Sequence, residues 1–171
     1  MVAVTKAASP TTNIAQFVVD TQPKRQYNKH LNNIGAKTMA YISATDVAAI
    51  RKELKEAFPK FKFAVRKESG GLAVNVSVMR GTLSFDDQFK TSYNGKRYAQ
   101  VNTYWIDSHF TDMEERAFIT KVNEIMHNAP GRAGGKVYFD ESDAMTDYFH
   151  TAFYTHLQIG QWDKEYECVE G

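Results

Sequence analysis

Residues 41–81, "YISATDVAAIRKELKEAFPKFKFAVRKESGGLAVNVSVMRG", change hydrophobic period halfway along. In the first half Val47, Ile50, Leu54 and Phe58 recur at helical spacing, and Arg51, Lys52, Glu53, Lys55 and Glu56 fill the other faces. An amphipathic helix is predicted. Ser43 followed by Asp46 has the spacing of a capping box, with Asp where Glu or Gln is usual. Pro59 stops the helix. In the second half the period is two. Phe61, Phe63 and Val65 alternate with Lys60, Lys62 and Ala64; "SGG" turns the chain; Leu72, Val74, Val76 and Val78 alternate with Ala73, Asn75, Ser77 and Met79. Alternation on both sides of a glycine turn predicts a hairpin. One hairpin face packs on the helix, and the other presents Lys62, Arg66, Asn75 and Ser77.

Downstream, residues 80–97 read as a loop whose "YNGK" offers a second turn. "YAQVNTYWI", 98–106, reads as a strand rich in aromatic and β-branched residues. "HFTDMEERAFITKVNEIMHNAPG" reads as a second helix, boxed by Thr111 and Glu114. Its buried stripe is Phe118, Val122, Ile125 and Ala129, and Pro130-Gly131 ends it. The following "GRAGG" lacks the Lys-Ser/Thr of a phosphate loop. In "TAFYTHLQI", Phe153, Leu157 and Ile159 face the core while Tyr154, His156 and Gln158 face away, giving a strand from Thr151 to Ile159. Trp162 covers its end. Helix, strand, strand, strand, helix, strand predicts an α+β two-layer sandwich: an antiparallel-rich sheet with two main helices on one face.

A chain of 171 residues with a 43% hydrophobic share suffices for one core. Residues 1–37, polar and broken by Pro10 and Pro23, read as a loosely attached basic arm. Residues 38–166 read as a single α+β domain and 167–171 as an acidic tail. The net charge of +1 gives no global field for nucleic acid or membrane, but charge is unevenly spread. Residues 1–40 hold five Lys/Arg against Asp20, a local +4; residues 140–171 hold eight acids against Lys164, a local −7. The single cysteine, Cys168, rules out an internal disulfide and fits a reducing compartment. No apolar run reaches the roughly 18–20 residues of a membrane span, and the N-terminal stretch has no signal-peptide core. The expected location is the cytoplasm.

The opening stretch also resembles a known family. Ala57-Phe58-Pro59, Lys62-Phe63, Val65-Arg66 and Gly70-Gly71 before "LAVNVSV" are similar to the core of the large polyvalent-protein-associated domain family of phages and mobile elements. "SDAMTDYFHTAFYTHLQIGQWDKEY", 142–166, looks like the closing part of its members. The likeness covers roughly 41–80 and 142–166. It implies a domain that occurs alone in phage genomes, or within large proteins delivered with invading DNA. The work it implies is protection, processing or support of that DNA in a host cell. No catalytic set comes with it.

The residues offer several sites. Asp143, Asp147, His150 and His156 have the side chains for a divalent ion and a metal-dependent hydrolase, but their spacing matches no metal motif. Turn aspartates with half-buried histidines are the simpler reading. Asp107 and His109 could form an orienter–base pair, although Asp107 or Ser108 capping the next helix is simpler. Residues 51–67 carry seven bases against Glu53 and Glu56. Arg51, Lys52, Lys55, Lys62 and Arg66 therefore form a basic helix–hairpin flank that could track DNA or RNA, with Tyr98, Tyr104 and Trp105 as stacking surfaces. The same aromatics suit a protein partner. The arm could order on binding or exchange within a homodimer. The function expected is non-enzymatic and without cofactor: binding of a host or defence protein, or of a protein–nucleic-acid assembly. Direct DNA or RNA binding is the alternative.

Overall fold

The computed structural model describes residues 39–90, 92, 95–143 and 145–169. The basic arm lies outside them, as do Tyr93 and Asn94 of the "YNGK" turn. Helix α1 spans Ala44–Ala57. The Ser43 hydroxyl accepts the Asp46 N–H at 3.1 Å, and the Asp46 carboxylate accepts the Ser43 N–H at 3.0 Å. The box thus closes with the shorter acid. Val47, Ile50 and Leu54 are buried and Phe58 packs on the core.

The hairpin follows. Strands β1, Lys62–Lys67, and β2, Ala73–Gly81, pair antiparallel around a 3-10 turn at Ser69–Gly71. Gly70 (φ 85°) and Gly71 (φ 76°) supply its left-handed conformations. Phe63 pairs with Val78 but Lys62 with Arg80, so Met79 is an extra residue in β2. This bulge shifts the alternation. Gly81 then meets the Phe61 ring so closely that a Cβ there would overlap it.

Beyond the hairpin come α2 (Asp86–Phe89), β3 (Ala99–Val101), α3 (Ile106–His109), α4 (Met113–Arg132), β4 (Tyr154–Ile159) and β5 (Glu167–Cys168). The sheet order is β1-β2-β4-β3. Both flanking pairs are antiparallel, as expected, while the central pair β2–β4 is parallel, so the sheet is mixed. β5 pairs with the far end of β2, at Arg80 and Gly81. Glu167 and Cys168, expected in a tail, therefore belong to the sheet.

Several boundaries differ from expectation. The strand over 98–106 shortens to Ala99–Val101, because the Asn102 side chain accepts the Tyr104 N–H at 3.0 Å and bends the chain into a turn. Helix α4 is capped by Asp112, whose Oδ1 accepts the N–H groups of Glu114 and Glu115, and not by Thr111, Asp107 or Ser108. It also passes through Pro130 to Arg132. The Pro130 carbonyl accepts the N–H groups of Ala133 and Gly135. Strand β4 starts at Tyr154. Thr151 instead bridges Asp140, and its hydroxyl lies 3.0 Å from the Phe139 carbonyl. Within the expected loop, α2 is introduced by Phe85, buried in a left-handed conformation.

Helices α1 and α4 share one hydrophobic core with the inner sheet face, where Val65, Val74, Val76, Val78, Leu157 and Ile159 point inward. Phe118 of α4 is its aromatic hub, 4.3 Å from Phe61 and 4.7 Å from Phe58 between ring centroids. On the edge strand β1, Arg51 Nη2 donates to the Val65 carbonyl at 2.8 Å. That closes part of an edge which would otherwise offer free backbone groups. Among the described residues no helix is long and apolar enough to cross a membrane.

Candidate functional site

Two surfaces carry chemistry-bearing side chains. The first is a cleft of about 930 Å³ between α4, the start of β4 and the segments 138–142 and 149–153. Helix α4 contributes Asn123 and His127, one turn apart and so on one face. The turn after β3 contributes Tyr104. The two segments run side by side, tied by Glu141 N–H to the His150 carbonyl (2.8 Å) and Ala152 N–H to the Phe139 carbonyl (2.9 Å). That pairing fixes Tyr138, Asp140 and Phe149. Strand β4 adds Tyr154, Thr155 and His156.

The floor of the cleft is polar. His127 stacks on Tyr138, with centroids 3.8 Å apart and planes within 4°. Its Nε2 lies 3.4 Å from the Thr155 hydroxyl, beyond the roughly 2.6–3.2 Å of a proton transfer. Burial pushes the His127 imidazole below its usual pKa, and the nearby Asp140 carboxylate opposes this in part. Asp140 accepts the Ser142 N–H at 3.1 Å on Oδ1 and the Tyr104 hydroxyl at 3.2 Å on Oδ2. Hydrogen bonds from Ser142, with the Tyr104 hydroxyl adding to them, hold its carboxyl below the ordinary carboxylate range, although partial burial works against them. Asn123 Oδ1 is buried with no hydrogen-bond partner among the described residues. The rim is aromatic and open: Tyr104 is 81% exposed, Phe149 62% and Tyr154 42%.

The second surface is the outer face of the sheet. Strand register places Arg66, Asn75 and His156 in one row and Ala64, Ser77, Gln158 and Gln100 in the next. Ser77, expected to be presented, is buried. Its hydroxyl accepts Gln158 Nε2 at 2.7 Å and Gln161 Nε2 at 3.0 Å. Tyr98 lies beside this row, edge-on to Trp162, which Lys96 Nζ approaches to 4.4 Å. Trp162 thus sits past the end of β4 as expected, half exposed.

The basic helix–hairpin flank is spread over α1 and β1. Arg51 is engaged with Val65, and Lys52 pairs with Glu56 at 4.0 Å. Lys55 is exposed on α1, in the helical layer, whereas Lys62 and Arg66 are exposed on β1. Of the aromatics, Tyr98 belongs to the outer sheet face and Tyr104 to the cleft. Trp105 is 61% exposed on the turn between them.

Asp143, Asp147, His150 and His156 do not converge. Among the described residues no three His, Cys, Asp or Glu side chains lie where they could hold one metal ion. Asp143 caps its own turn by accepting the Met145 N–H at 2.9 Å, and Asp147 occupies a left-handed turn position. His150 Nδ1 lies 3.1 Å from Glu141, and His156 stands on the outer sheet face. The two aspartates are thus turn residues and His150 is half-buried, whereas His156 is exposed. The cleft residues Asn123, His127, Tyr138 and Asp140 were not singled out by the sequence. Their one local signal is the polar pair Asn123/His127 at i, i+4 beside the buried stripe of α4.

No curated protein and no solved structure matches the chain. Residues 42–156, from the residue before the Ser43 cap to the middle of β4, match the family described as Large polyvalent protein associated domain 29, and the chain belongs to that family.

Proposed function

We propose that the chain is a non-catalytic accessory domain that binds a host or defence protein, or a protein–nucleic-acid assembly, in the cytoplasm of the host cell. Family membership is consistent with an accessory role in phages or mobile elements. The contact site in this reading is the cleft between α4 and β4. The observation that carries it is the convergence of three exposed rings, Tyr104, Phe149 and Tyr154, on one polar-floored cleft. Large rings that stay exposed at a concave site are what protein interfaces use as anchors. The test is capture from host lysate, with and without nuclease, by the native chain and by Tyr104→Ala/Phe149→Ala. The native chain should retain a defined protein after nuclease and the double variant should lose it. Identical capture by both would overturn the assignment.

Direct nucleic-acid binding keeps one supporting observation, the row Arg66–Asn75–His156 on the outer sheet face, with Lys62 exposed further along β1. On this reading, Lys62→Glu with Arg66→Glu abolishes retention of single-stranded DNA or RNA at about 50 mM salt, and native binding falls steeply with added salt. No binding by the native chain under those conditions removes it.

A further inference from the structure

Resting on the cleft as the contact site, we propose that what enters it is an arginine side chain, presented by a basic segment of the partner protein. Three observations lead there. First, the unused hydrogen-bonding capacity of the floor is that of an acceptor. Asn123 Oδ1 is buried without a partner among the described residues. Asp140 receives one bond on each oxygen, from Ser142 and Tyr104, which leaves each oxygen a further lone pair. The entering group must therefore donate, and donate more than once. Second, the walls are aromatic, with Tyr104 and Phe149 open to solvent and Tyr138 already in a stack with His127. A planar cation that both stacks on rings and donates to a carboxylate and an amide oxygen is a guanidinium. An ammonium donates but has no face to stack.

Third, the local charge selects for a cation. Among the residues that line the cleft Asp140 is the one carboxylate, and there is no Lys or Arg. His127 is held towards its neutral form by burial and does not offset that carboxylate. A phosphate backbone would meet repulsion here, while a basic peptide would be drawn in. The cleft volume of about 930 Å³ exceeds one side chain, so flanking peptide residues have room beside the arginine.

The test uses N-acetyl-arginine amide and its neutral isostere N-acetyl-citrulline amide, titrated against the isotopically labelled full chain and followed by NMR. Arginine should give saturable shifts at Tyr104, Asn123, His127 and Asp140. It should bind at least about tenfold tighter than citrulline, as loss of one charge-assisted contact implies. Asp140→Asn should remove that difference, and Tyr104→Ala, at an exposed position, should weaken binding without disturbing the dispersed spectrum. Equal binding of the two probes, the lysine analogue binding as well as arginine, or no saturable shift at the cleft overturns the proposal. If arginine fails to bind while Tyr104→Ala/Phe149→Ala loses the captured protein, the contact site stands and only its chemistry is wrong. If arginine binds but capture is unchanged by Tyr104→Ala/Phe149→Ala, the contact-site reading fails instead.

Discussion

Asp46 Oδ1 accepts the backbone N–H of Lys136 at 3.1 Å, across ninety positions of sequence. The same carboxylate caps α1 through Ser43, so one side chain both starts the first helix and fastens the chain leaving the second. Gly135 permits the approach, since a Cβ there would overlap the carboxylate. Burial raises the Asp46 pKa, but hydrogen bonds from Ser43 and Lys136 outweigh it and leave the carboxyl below its ordinary value. A carboxyl lowered on folding contributes stability above its unfolded pKa, near 4, and loses it as pH falls through the folded value. Asp46→Asn should cost about 1–2 kcal/mol at pH 7. The gap to the native chain should close as pH falls below about 4, as read by urea unfolding at matched pH values.

The ring cluster around Phe118 sets a second expectation. Leu54 is fully buried and Phe118 nearly so, each in contact with the one core. Leu54→Ala and Phe118→Ala should each cost roughly 2–5 kcal/mol, the range for emptying a packed core position. Equilibrium denaturation would record it, and losses well under about 1 kcal/mol at both sites would mean that the core is not packed as described.

The Phe61 ring makes Gly81 intolerant of a side chain. Gly81→Ala drives a methyl into the Phe61 ring and should destabilise by about 1–3 kcal/mol through overpacking. Phe61→Leu in the same chain should recover part of that loss. A double-mutant cycle measures the coupling, and strict additivity would deny the contact.

His127 predicts a separate acid dependence. Its folded pKa lies below the unfolded one, because burial disfavours the imidazolium. The unfolded chain therefore takes up the proton first, and stability falls as pH drops below about 6.5. Melting temperatures from pH 7.5 to 5.5 should fall in the native chain and fall less in His127→Gln. Equal slopes would contradict the burial of this ring.

Where structure is made by neighbours in sequence, the chain was readable. The Ser43–Asp46 box, the stripe of α1, the glycine turn and the alternation of β1, β2 and β4 all depend on contacts within a few residues or on strict period. The errors fall where a side chain overrides a pattern. Asn102 ends a strand that β-propensity would have continued, and Asp112 caps α4 ahead of the Thr111/Glu114 pair. The parallel pairing of β2 with β4 leaves no local trace, and the cleft leaves only the polar pair Asn123/His127 on α4. Tyr104, His127, Asp140 and Thr155 meet only through the fold, and of these the sequence had singled out Tyr104 alone.

The parallel centre of the sheet has a consequence for how the chain is made. Gln158 reaches Ser77 across eighty-one positions, and everything between them must be synthesised before β2 gains its second neighbour. The α1–hairpin unit can assemble early, since its contacts are short in sequence. Until β4 arrives, one edge of the valine-rich β2 stands open to any other strand in the crowded cell. Closure of that edge by a distant partner carries a loop entropy that slows it. Folding of this domain is therefore expected in two steps, a rapid N-terminal half and a slow insertion of β4. The interval between them is when the nascent chain is most prone to misassociation.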